Sequence, residues 1–415
     1  MLQNMTPHTK TFPPLVSVII PVKKKVEVFQ STLNTVLSQD YQSLQVVVSS
    51  NGNSDKVFNL VASLNDPRIK HVKPPPNQSF SDDWNFALDE ADGEYVTVLG
   101  DDDGMIPGAI SYAMEALLKN NLPALTWLKI NYSWPDHIFE INQNTIEGTS
   151  APYLNVFKAK KALELLANFK IGYNRLPCIY NSIIRKELTD AVKQRSYNNK
   201  FFGGIIPDVY SAVALATVIE EYLYASFPLT VNGASNKSSG VIQGLRNRST
   251  SQEDLIPDIL TSGEKYHKDI GSFSGSIASI VLGEYLLAQS NIKTVNMPDP
   301  NWRAYVNYMV YESQGSQRKK EILDAARFTA KSRKMLAFIP KLTVTNNFIP
   351  LGFFNGRLHV PTSLVWDVEG AAMLCKSLIP VSPEIESHPN RRIFKSWLIF
   401  TARSILEIYR NWRLS

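Results

Sequence analysis

The feature that most constrains the fold of this chain is the alternation of β-branched runs with amphipathic segments along its first 112 residues. The runs "LVSVIIPV" (15–22) and "LQVVVSS" (44–50) are typical of strands buried on both faces of a parallel sheet. Between them, "VEVFQSTLNTVLSQ" carries apolar side chains at helical spacing. Two shorter strands, "RIKHV" and "EYVTVLG", each follow another helical segment. This order predicts an α/β fold whose mostly parallel sheet is flanked by helices.

The length of 415 residues is sufficient for two domains. A polar stretch, "NGASNKSSGVIQGLRNRSTSQED" (232–254), is rich in Gly, Ser and Asn and predicts a loop. We therefore expect a first domain over residues 12–250, made of the halves 12–112 and 113–250, and a mainly helical C-terminal domain over 251–415.

Composition excludes several classes of protein. Hydrophobic residues make up 44% of the chain and charged residues 20%, which is typical of a folded globular protein. The net charge of +5 is too mild to indicate a nucleic-acid partner. Two distant cysteines and six histidines without HxxH or HExxH spacing argue against a disulfide scaffold and a thiolate or histidine metal site. With no signal-like or membrane-spanning apolar run, we expect a cytoplasmic protein.

Three adjacent carboxylates follow the fourth predicted strand, in "VTVLGDDDGMIPG". A hard divalent cation, Mn²⁺ or Mg²⁺, would neutralise Asp101, Asp102 and Asp103 and bind the oxygens of a substrate diphosphate. Gly104 would allow a sharp turn, and Pro107 would lie in the first turn of the next helix. The alternative is an acidic turn that caps this helix.

The loop after the first strand, "PVKKKVE", contains neither GxGxxG nor GxxxxGK[ST]. Dinucleotide-binding and P-loop modes of phosphate binding are therefore disfavoured. The lysines of this loop, Lys23, Lys24 and Lys25, can meet a diphosphate as point charges, or can simply be solvated.

The ordered motifs "VSVIIP", "TLNTVLSQDYQSLQVVVSSNGNSD", "LNDPRIKHV" and "WNFALDEADGEYVTVLGDDDGMIPGAI" resemble the nucleotide-sugar half of family 2 glycosyltransferases, which have the GT-A fold. The resemblance covers residues 14–112, and a looser match extends to about residue 240. It implies a metal-dependent, inverting transferase. The expected donor is a nucleoside-diphosphate sugar, specifically a UDP-sugar. The expected acceptor is a glycan or a lipid-linked hydroxyl, in the synthesis of surface polysaccharide.

The resemblance also implies roles for individual residues. Asp101 would meet the ribose, and Asp102 or Asp103 would hold the metal. Ser50, followed by Asn51, occupies the position where the family usually has an Asp that bonds the base, and both can still hydrogen-bond a base edge. The full set predicted to bind the nucleotide sugar is Pro21, Val22, Lys23, Ser50, Asn51, Asn85, Asp101 and Asp102.

Asp208, in "IIPDVYSA", matches the carboxylate that serves such enzymes as the general base. An inverting transfer needs a base that deprotonates the acceptor hydroxyl, separate from the metal carboxylates. The alternative role for Asp208 is the N-cap of the helix that follows.

Two arginines and the C-terminal segment are weaker candidates for a functional role. Arg246 and Arg248 can close over the diphosphate as part of a mobile loop. The segment 391–415 is a basic amphipathic helix that either packs on its own domain or contacts the membrane surface. Two other functions remain open: a nucleotidyltransferase on the same sheet, and a catalytically degenerate protein that only binds a glycan or a partner.

Overall fold

The computed structural model describes residues 13–22, 26–50, 54–137, 140–236, 267, 269–270, 276–293, 296–314, 319–335, 356–359, 365–380 and 382–383. Its larger sheet has eight strands, in the spatial order β3 (Ile69–Val72), β2 (Leu44–Ser50), β1 (Val16–Val22), β4 (Tyr95–Val98), β10 (Ser182–Arg185), β6 (Ala124–Trp127), β11 (Glu221–Ala225) and β9 (Leu154–Lys158). Four of the seven neighbouring pairs are parallel, including all three among β3, β2, β1 and β4. The predicted α/β architecture is confirmed.

A second sheet of five strands lies beside the first. Its order is β13 (Gly356–His359), β8 (Thr145–Gly148), β7 (Ile130–Ser133), β12 (Thr230–Ala234) and β5 (Gly104–Met105). Two expectations are wrong here. Gly104 does not form a sharp turn but pairs with Val231, and residues 232–234, expected to start a loop, belong to β12.

The helices cover the faces of the sheets and form most of the described C-terminal part. They are α1 (Val26–Leu37), α2 (Ser54–Leu64), α3 (Phe80–Asp89), α4 (Ala109–Asn120), α5 (Ala159–Ala167), α6 (Glu187–Arg195), α7 (Pro207–Ala216), α8 (Ile277–Asn291), α9 (Trp302–Ser313), α10 (Lys319–Ser332) and α11 (Val368–Cys375). None of these helices, which come from the described part of the chain, combines the length and the apolar character needed to cross a bilayer.

One helix end differs from the sequence expectation. Helix α4 begins at Ala109 after the N-cap Gly108, so Pro107 lies before the helix rather than in its first turn. Helix α3 ends at Asp89. A Cβ on Gly93 would lie 2.6 Å from the Ser17 backbone nitrogen, which explains a glycine where the chain passes closely beside β1.

Alternate residues of β1 enter two different cores, as the period of a strand requires. Val18 and Ile20 join a cluster with α1, α4 and α11, whereas Ile19 joins one with α3, α5 and α7. A third cluster lies between α8, α9 and α10. Helix α8 contributes to the second and third clusters, so it is buried on two sides.

The boundary expected near residue 250 lies outside the described residues. Elements from beyond it nevertheless share cores with elements before it. Helix α11 packs on α1, β5 and β12, and the hydroxyl of Ser31 donates to the N-cap carboxylate of Asp367 over 2.9 Å. A Cβ on Gly104 would meet Val368 Cγ2 at 2.9 Å, which shows how closely α11 approaches β5.

This shared core predicts how the chain unfolds. Leu33→Ala in α1 and Leu374→Ala in α11 each remove a buried side chain from one cluster. Each should lower the free energy of unfolding by about 2–5 kcal/mol and shift the same urea transition. Met373→Ala, at an α11 side chain that is 50% exposed, is the control and should change little. Two separate transitions, one sensitive to each substitution, would contradict a common core.

Candidate functional site

The carboxyl ends of β1, β2 and β4 lie at one edge of the larger sheet. Val22 is in register with Ser50, and Ile19 is in register with Val98. Asp101 comes three residues after Val98, as Val22 comes three residues after Ile19. Asp101, Pro21 and Val22 therefore belong to the same edge of the sheet. Ligands of open α/β sheets bind outside this edge. We call it the carboxyl edge.

Asp103 is held at the carboxyl edge by three hydrogen bonds. Its Oδ2 accepts from the Gly100 backbone amide over 3.1 Å and from the Tyr180 hydroxyl. Its Oδ1 accepts from the Gly233 backbone amide over 2.7 Å. Because Gly233 lies in β12, this carboxylate joins the two sheets. The side chain is 1% exposed, so these bonds form away from water and each is worth more than at the surface.

Asp102 lies beside the same strand. Its Oδ2 accepts from the Ser235 hydroxyl over 3.1 Å, and its backbone oxygen accepts from the Trp134 indole over 3.2 Å. Asp101 and Asp102 are 6% and 3% exposed, so all three carboxylates of the triplet are buried. The alternative role in capping is not what the structure shows, because the N-cap of α4 is Gly108, which makes no side-chain cap bond.

The donor chemistry of this loop suits a hard cation, since carboxylate and hydroxyl oxygens are its preferred ligands. Asp103 already accepts three hydrogen bonds, so a cation bound there would share its oxygens with these donors. Over the described residues, no three His, Cys, Asp or Glu side chains gather into a ready-made metal site. Mg²⁺ sites with one or two carboxylates take their other ligands from water and from substrate oxygens.

Ser50 ends β2, is fully buried, and forms a 2.7 Å hydrogen bond with His71 Nε2. His71 comes from β3, and its ring centroid lies 5.9 Å from that of Phe58. Burial, followed by the charge of Lys73, lowers the pKa of His71, so the imidazole is neutral near pH 7. Sequence reasoning missed His71 because no histidine motif surrounds it.

Both ends of the Asn85 side-chain amide are hydrogen-bonded to backbone groups. Its Oδ1 accepts from the backbone amides of Phe201 and Phe202, over 3.1 Å and 3.0 Å. Its Nδ2 donates to the carbonyl oxygens of Ser81 and Phe202, each over 2.9 Å. Asn85 thus fastens the segment before α7. Its prediction as a nucleotide-sugar ligand gains no support from this geometry.

Helix α8 fastens the same segment from the C-terminal part of the chain. Glu284, 1% exposed, accepts from the backbone amides of Ile205 and Ile206 over 3.1 Å and 2.9 Å. Asn291 donates to the Gly203 carbonyl over 2.8 Å. Residues 201–206 are therefore held by α3 on one side and α8 on the other, immediately before Asp208. The sequence carried no signal for Glu284.

Asp208 is the second residue of α7 and is half-buried. The N-cap of this helix is Ile206, so Asp208 does not cap it as the alternative supposed. Its Oδ2 instead accepts from the Tyr173 hydroxyl over 3.0 Å. Burial, followed by the charge of Asp208, raises the pKa of Tyr173 well above its ordinary value, so the phenol remains a donor.

Lys129, which the sequence reading did not single out, lies between β6 and β7. Its ammonium is 4.4 Å from the ring centroid of Tyr180 and 5.9 Å from that of Tyr173. One of these tyrosines bonds Asp103 and the other bonds Asp208. The lysine and the two rings therefore connect the acidic triplet with Asp208. The signal that could have found Lys129 is a lysine two residues after the buried strand β6, which runs parallel to β4 and ends at the same edge.

Several predicted residues lie outside the described part of the chain. These are Lys23, Lys24, Lys25, Asn51, Arg246, Arg248 and the helix expected over 391–415.

The close approach of β12 to the triplet predicts the effect of Gly233→Ala. The new Cβ would lie 1.7 Å from the Asp102 backbone oxygen, so the triplet or β12 must shift. We expect the free energy of unfolding to fall by about 1–3 kcal/mol in urea titrations. Gly370→Ala in α11 is the matched control, since its Cβ would have only ordinary contacts at 3.5 Å. That control should be neutral or stabilising by up to about 1 kcal/mol. Equal effects would contradict the packing.

The Glu284 contact predicts a local effect on the segment before Asp208. Glu284→Ala leaves two buried amides without their acceptor and should cost about 3 kcal/mol of stability. Amide hydrogen exchange at Ile205 and Ile206 should accelerate, and Glu284→Gln should restore part of the protection because it keeps an acceptor oxygen. The control is Glu321→Ala on the exposed side of α10. Unchanged exchange at these two amides would contradict the anchoring.

Part of the chain is similar in sequence to known glycosyltransferases. Residues 17–176 match the family model described as glycosyl transferase family 2. Over 105 residues the chain is 33% identical to the GalNAc(5)-diNAcBac-PP-undecaprenol beta-1,3-glucosyltransferase of Campylobacter jejuni, covering 25% of this chain and 34% of that protein. Over 162 residues it is 26% identical to the UDP-Glc:alpha-D-GlcNAc-diphosphoundecaprenol beta-1,3-glucosyltransferase WfgD of Escherichia coli, covering 39% and 54%. The match thus spans between a third and about half of these relatives.

The structural matches of the chain include S. aureus TarS 1-349 in complex with UDP-GlcNAc. Its TM-score is 0.42 and its identity 13%, over 77% of this chain and 92% of that one. Another is the mannosyltransferase PcManGT of Pyrobaculum calidifontis in complex with GDP-Man and Mn²⁺, with a TM-score of 0.38 and 13% identity over 79% and 82%. The resemblance seen in the sequence is confirmed by the family match. Residues 17–176 are therefore similar to glycosyl transferase family 2.

Proposed function

We propose that the chain transfers a sugar from a nucleoside-diphosphate sugar to the hydroxyl of a glycan or lipid-linked acceptor. The observation that carries this proposal is the pairing of two acidic centres, the triplet inside the matched residues 17–176 and Asp208 beyond them. The triplet at the carboxyl edge and Asp208 at the start of α7 are each bonded by a tyrosine, and Lys129 lies against both rings. The triplet can bind the sugar donor, and Asp208 can accept the proton of the acceptor hydroxyl.

The names of the relatives support the substrate classes. WfgD takes UDP-Glc and a diphosphoundecaprenol-linked GlcNAc, and the Campylobacter enzyme acts on a PP-undecaprenol glycan. A further relative, 29% identical over 100 residues, is the putative colanic acid biosynthesis glycosyl transferase WcaA of Escherichia coli. We therefore propose a UDP-sugar as the donor and a role in surface polysaccharide synthesis.

The nucleotide would lie along the carboxyl edge. In this proposal Asp101 meets the ribose, while Pro21, Val22 and the Ser50–His71 pair border the base. A neutral serine and imidazole would replace the acidic residue that the family usually places there, and both can donate to or accept from a base edge. Lys23 and Asn51 remain predicted partners of the nucleotide.

A bound Mn²⁺ or Mg²⁺ would neutralise the diphosphate and stabilise it as a leaving group. We propose Asp102 as the principal protein ligand, because three hydrogen bonds already commit Asp103 to joining the sheets. Asp103 would then act mainly by holding the loop that carries Asp101 and Asp102. Since burial, followed by the charges of Asp103 and Asp102, raises the pKa of Tyr180 well above its ordinary value, its phenol stays protonated and keeps donating to Asp103.

Asp208 is proposed as the general base of an inverting transfer. Its carboxylate would accept the proton of the acceptor hydroxyl as that oxygen attacks the anomeric carbon. The Tyr173 bond to Oδ2 fixes the carboxylate, so Oδ1 is the oxygen that would take the proton. The Cys178 thiol and the Ser211 hydroxyl donate to the Asp208 backbone oxygen over 3.1 Å and 2.9 Å, which further fixes the first turn of α7.

Two other functions can be separated by binding experiments. A catalytically degenerate protein would bind no nucleoside diphosphate, whereas a nucleotidyltransferase would transfer a nucleoside monophosphate from a nucleoside triphosphate to an acceptor phosphate and release pyrophosphate. Thermal shifts with UDP, GDP and UTP, with and without Mn²⁺, distinguish these cases. We expect stabilisation by UDP that increases with Mn²⁺, since a ligand that binds only the folded state raises its stability.

Donor hydrolysis across nucleotide sugars tests the proposed roles without an acceptor. Asp208→Asn should lower the rate by about 10²–10⁴-fold while UDP still binds, because only proton transfer is lost. Asp102→Asn should weaken the Mn²⁺-dependent gain in UDP binding. Asp103→Asn should in addition lower stability by about 1.5–3 kcal/mol, because it weakens charge-assisted hydrogen bonds. Asp324→Asn, exposed on α10, is the control. Full hydrolysis by the Asp208 variant would contradict its role.

A further inference from the structure

Lys129 is a cation that lies over two aromatic rings. Its side chain is half-buried, with the ammonium 4.4 Å from the Tyr180 ring centroid. In the described part of the chain, no carboxylate oxygen lies within ion-pair distance of it. Contact with the tyrosine rings orients the ammonium without occupying it in a close ion pair within the described residues, so it can still meet an anionic oxygen.

The position of Lys129 relates it to both substrates. Tyr180, under the ammonium, donates to Asp103 of the triplet, and Tyr173, 5.9 Å away, donates to Asp208. Its charge also acts on Cys178, whose pKa is raised to about 12 chiefly by burial and then by Asp208, with Lys129 opposing this rise. Lys129 thus lies between the donor centre and the acceptor centre.

An anionic ligand arriving at this place would enter a region that already contains Asp101, Asp102, Asp103 and Asp208. It would be repelled unless a cation met it. A lysine ammonium meets phosphate oxygens as a mobile point charge, without the fixed geometry of arginine. The tyrosine rings keep this ammonium in place before the ligand arrives, so little ordering is needed on binding.

We propose that Lys129 binds a diphosphate oxygen of a substrate at the point where the donor and acceptor centres meet. This inference rests on the proposed function and adds a recognition residue to it. The diphosphate can belong to the nucleotide donor or to a diphosphate-linked acceptor, since the chemistry of the contact is the same.

Binding of UDP and UMP to the full chain, measured by titration calorimetry, tests the donor source. If Lys129 meets the donor, Lys129→Gln weakens UDP binding at least about tenfold but leaves UMP binding nearly unchanged, and Lys129→Arg restores part of the loss. Lys119→Gln, an exposed lysine in the last turn of α4, is the matched control and should change neither affinity.

Transfer to two acceptors tests the other source. The probes are GlcNAc linked to a short prenyl diphosphate and GlcNAc as an octyl glycoside, which lacks the diphosphate. If Lys129 meets the acceptor, Lys129→Gln leaves UDP affinity unchanged but removes the preference for the diphosphate-linked probe. That preference should return in part with Lys129→Arg.

The outcomes separate the inference from the proposed function. If wild type binds neither UDP nor GDP, both are overturned. If wild type binds and transfers, but Lys129→Gln changes neither the UDP/UMP ratio nor the preference between acceptors, only the inference is overturned. Lys129 would then be a structural cation on Tyr180. Lys129→Met, which retains the aliphatic packing, is measured alongside for thermal stability, so a loss of folding cannot imitate a loss of phosphate binding.

Discussion

The hydrogen bonds on Asp103 are the constraint on which the rest of the site depends. One carboxylate receives a backbone amide from its own loop, a tyrosine hydroxyl from the segment before β10 and a backbone amide from β12. These donors come from both sheets, and the tyrosine belongs to the segment that also faces Asp208. Because the carboxylate is buried, the loss of any one donor would leave a buried negative charge with too few hydrogen bonds. The geometry of the triplet is therefore set by distant parts of the chain.

The segment before Asp208 is held in a similar way from two sides. Asn85 of α3 accepts two of its backbone amides, and Glu284 of α8 accepts two more. A Cβ on Gly204 would lie 1.8 Å from Glu284 Oε2, so the contact also requires a glycine. Helix α8 thereby gives the C-terminal part of the chain a role at the site. It positions the proposed base, although none of its described side chains bonds Asp208 directly.

The sequence predicted β1 to β4 and the position of the acidic triplet after β4, because buried parallel strands leave β-branched runs whose ends can be read from the sequence. It could not predict the partners of these residues. Glu284 meets Ile205 across 79 positions, and Gly233 meets Asp103 across 130. The loop expected over 232–254 was wrong at its start, since a strand with Asn and Gly looks like a turn until pairing with β7 and β5 determines its conformation. Asn85 was predicted to approach the sugar, and in the structure its amide bonds backbone groups of Ser81, Phe201 and Phe202.

Lys129 shows why charge must be read together with its surroundings. In the sequence it is one of many basic residues in a chain of net charge +5. In the fold it lies over Tyr180, whose ring also stacks on Trp84 at 6.0 Å between centroids. The hydroxyl that binds Asp103 and the ring that holds Lys129 belong to the same side chain. The acidic loop and the ammonium are therefore in contact with one tyrosine, which links the two charges that we propose meet the diphosphate.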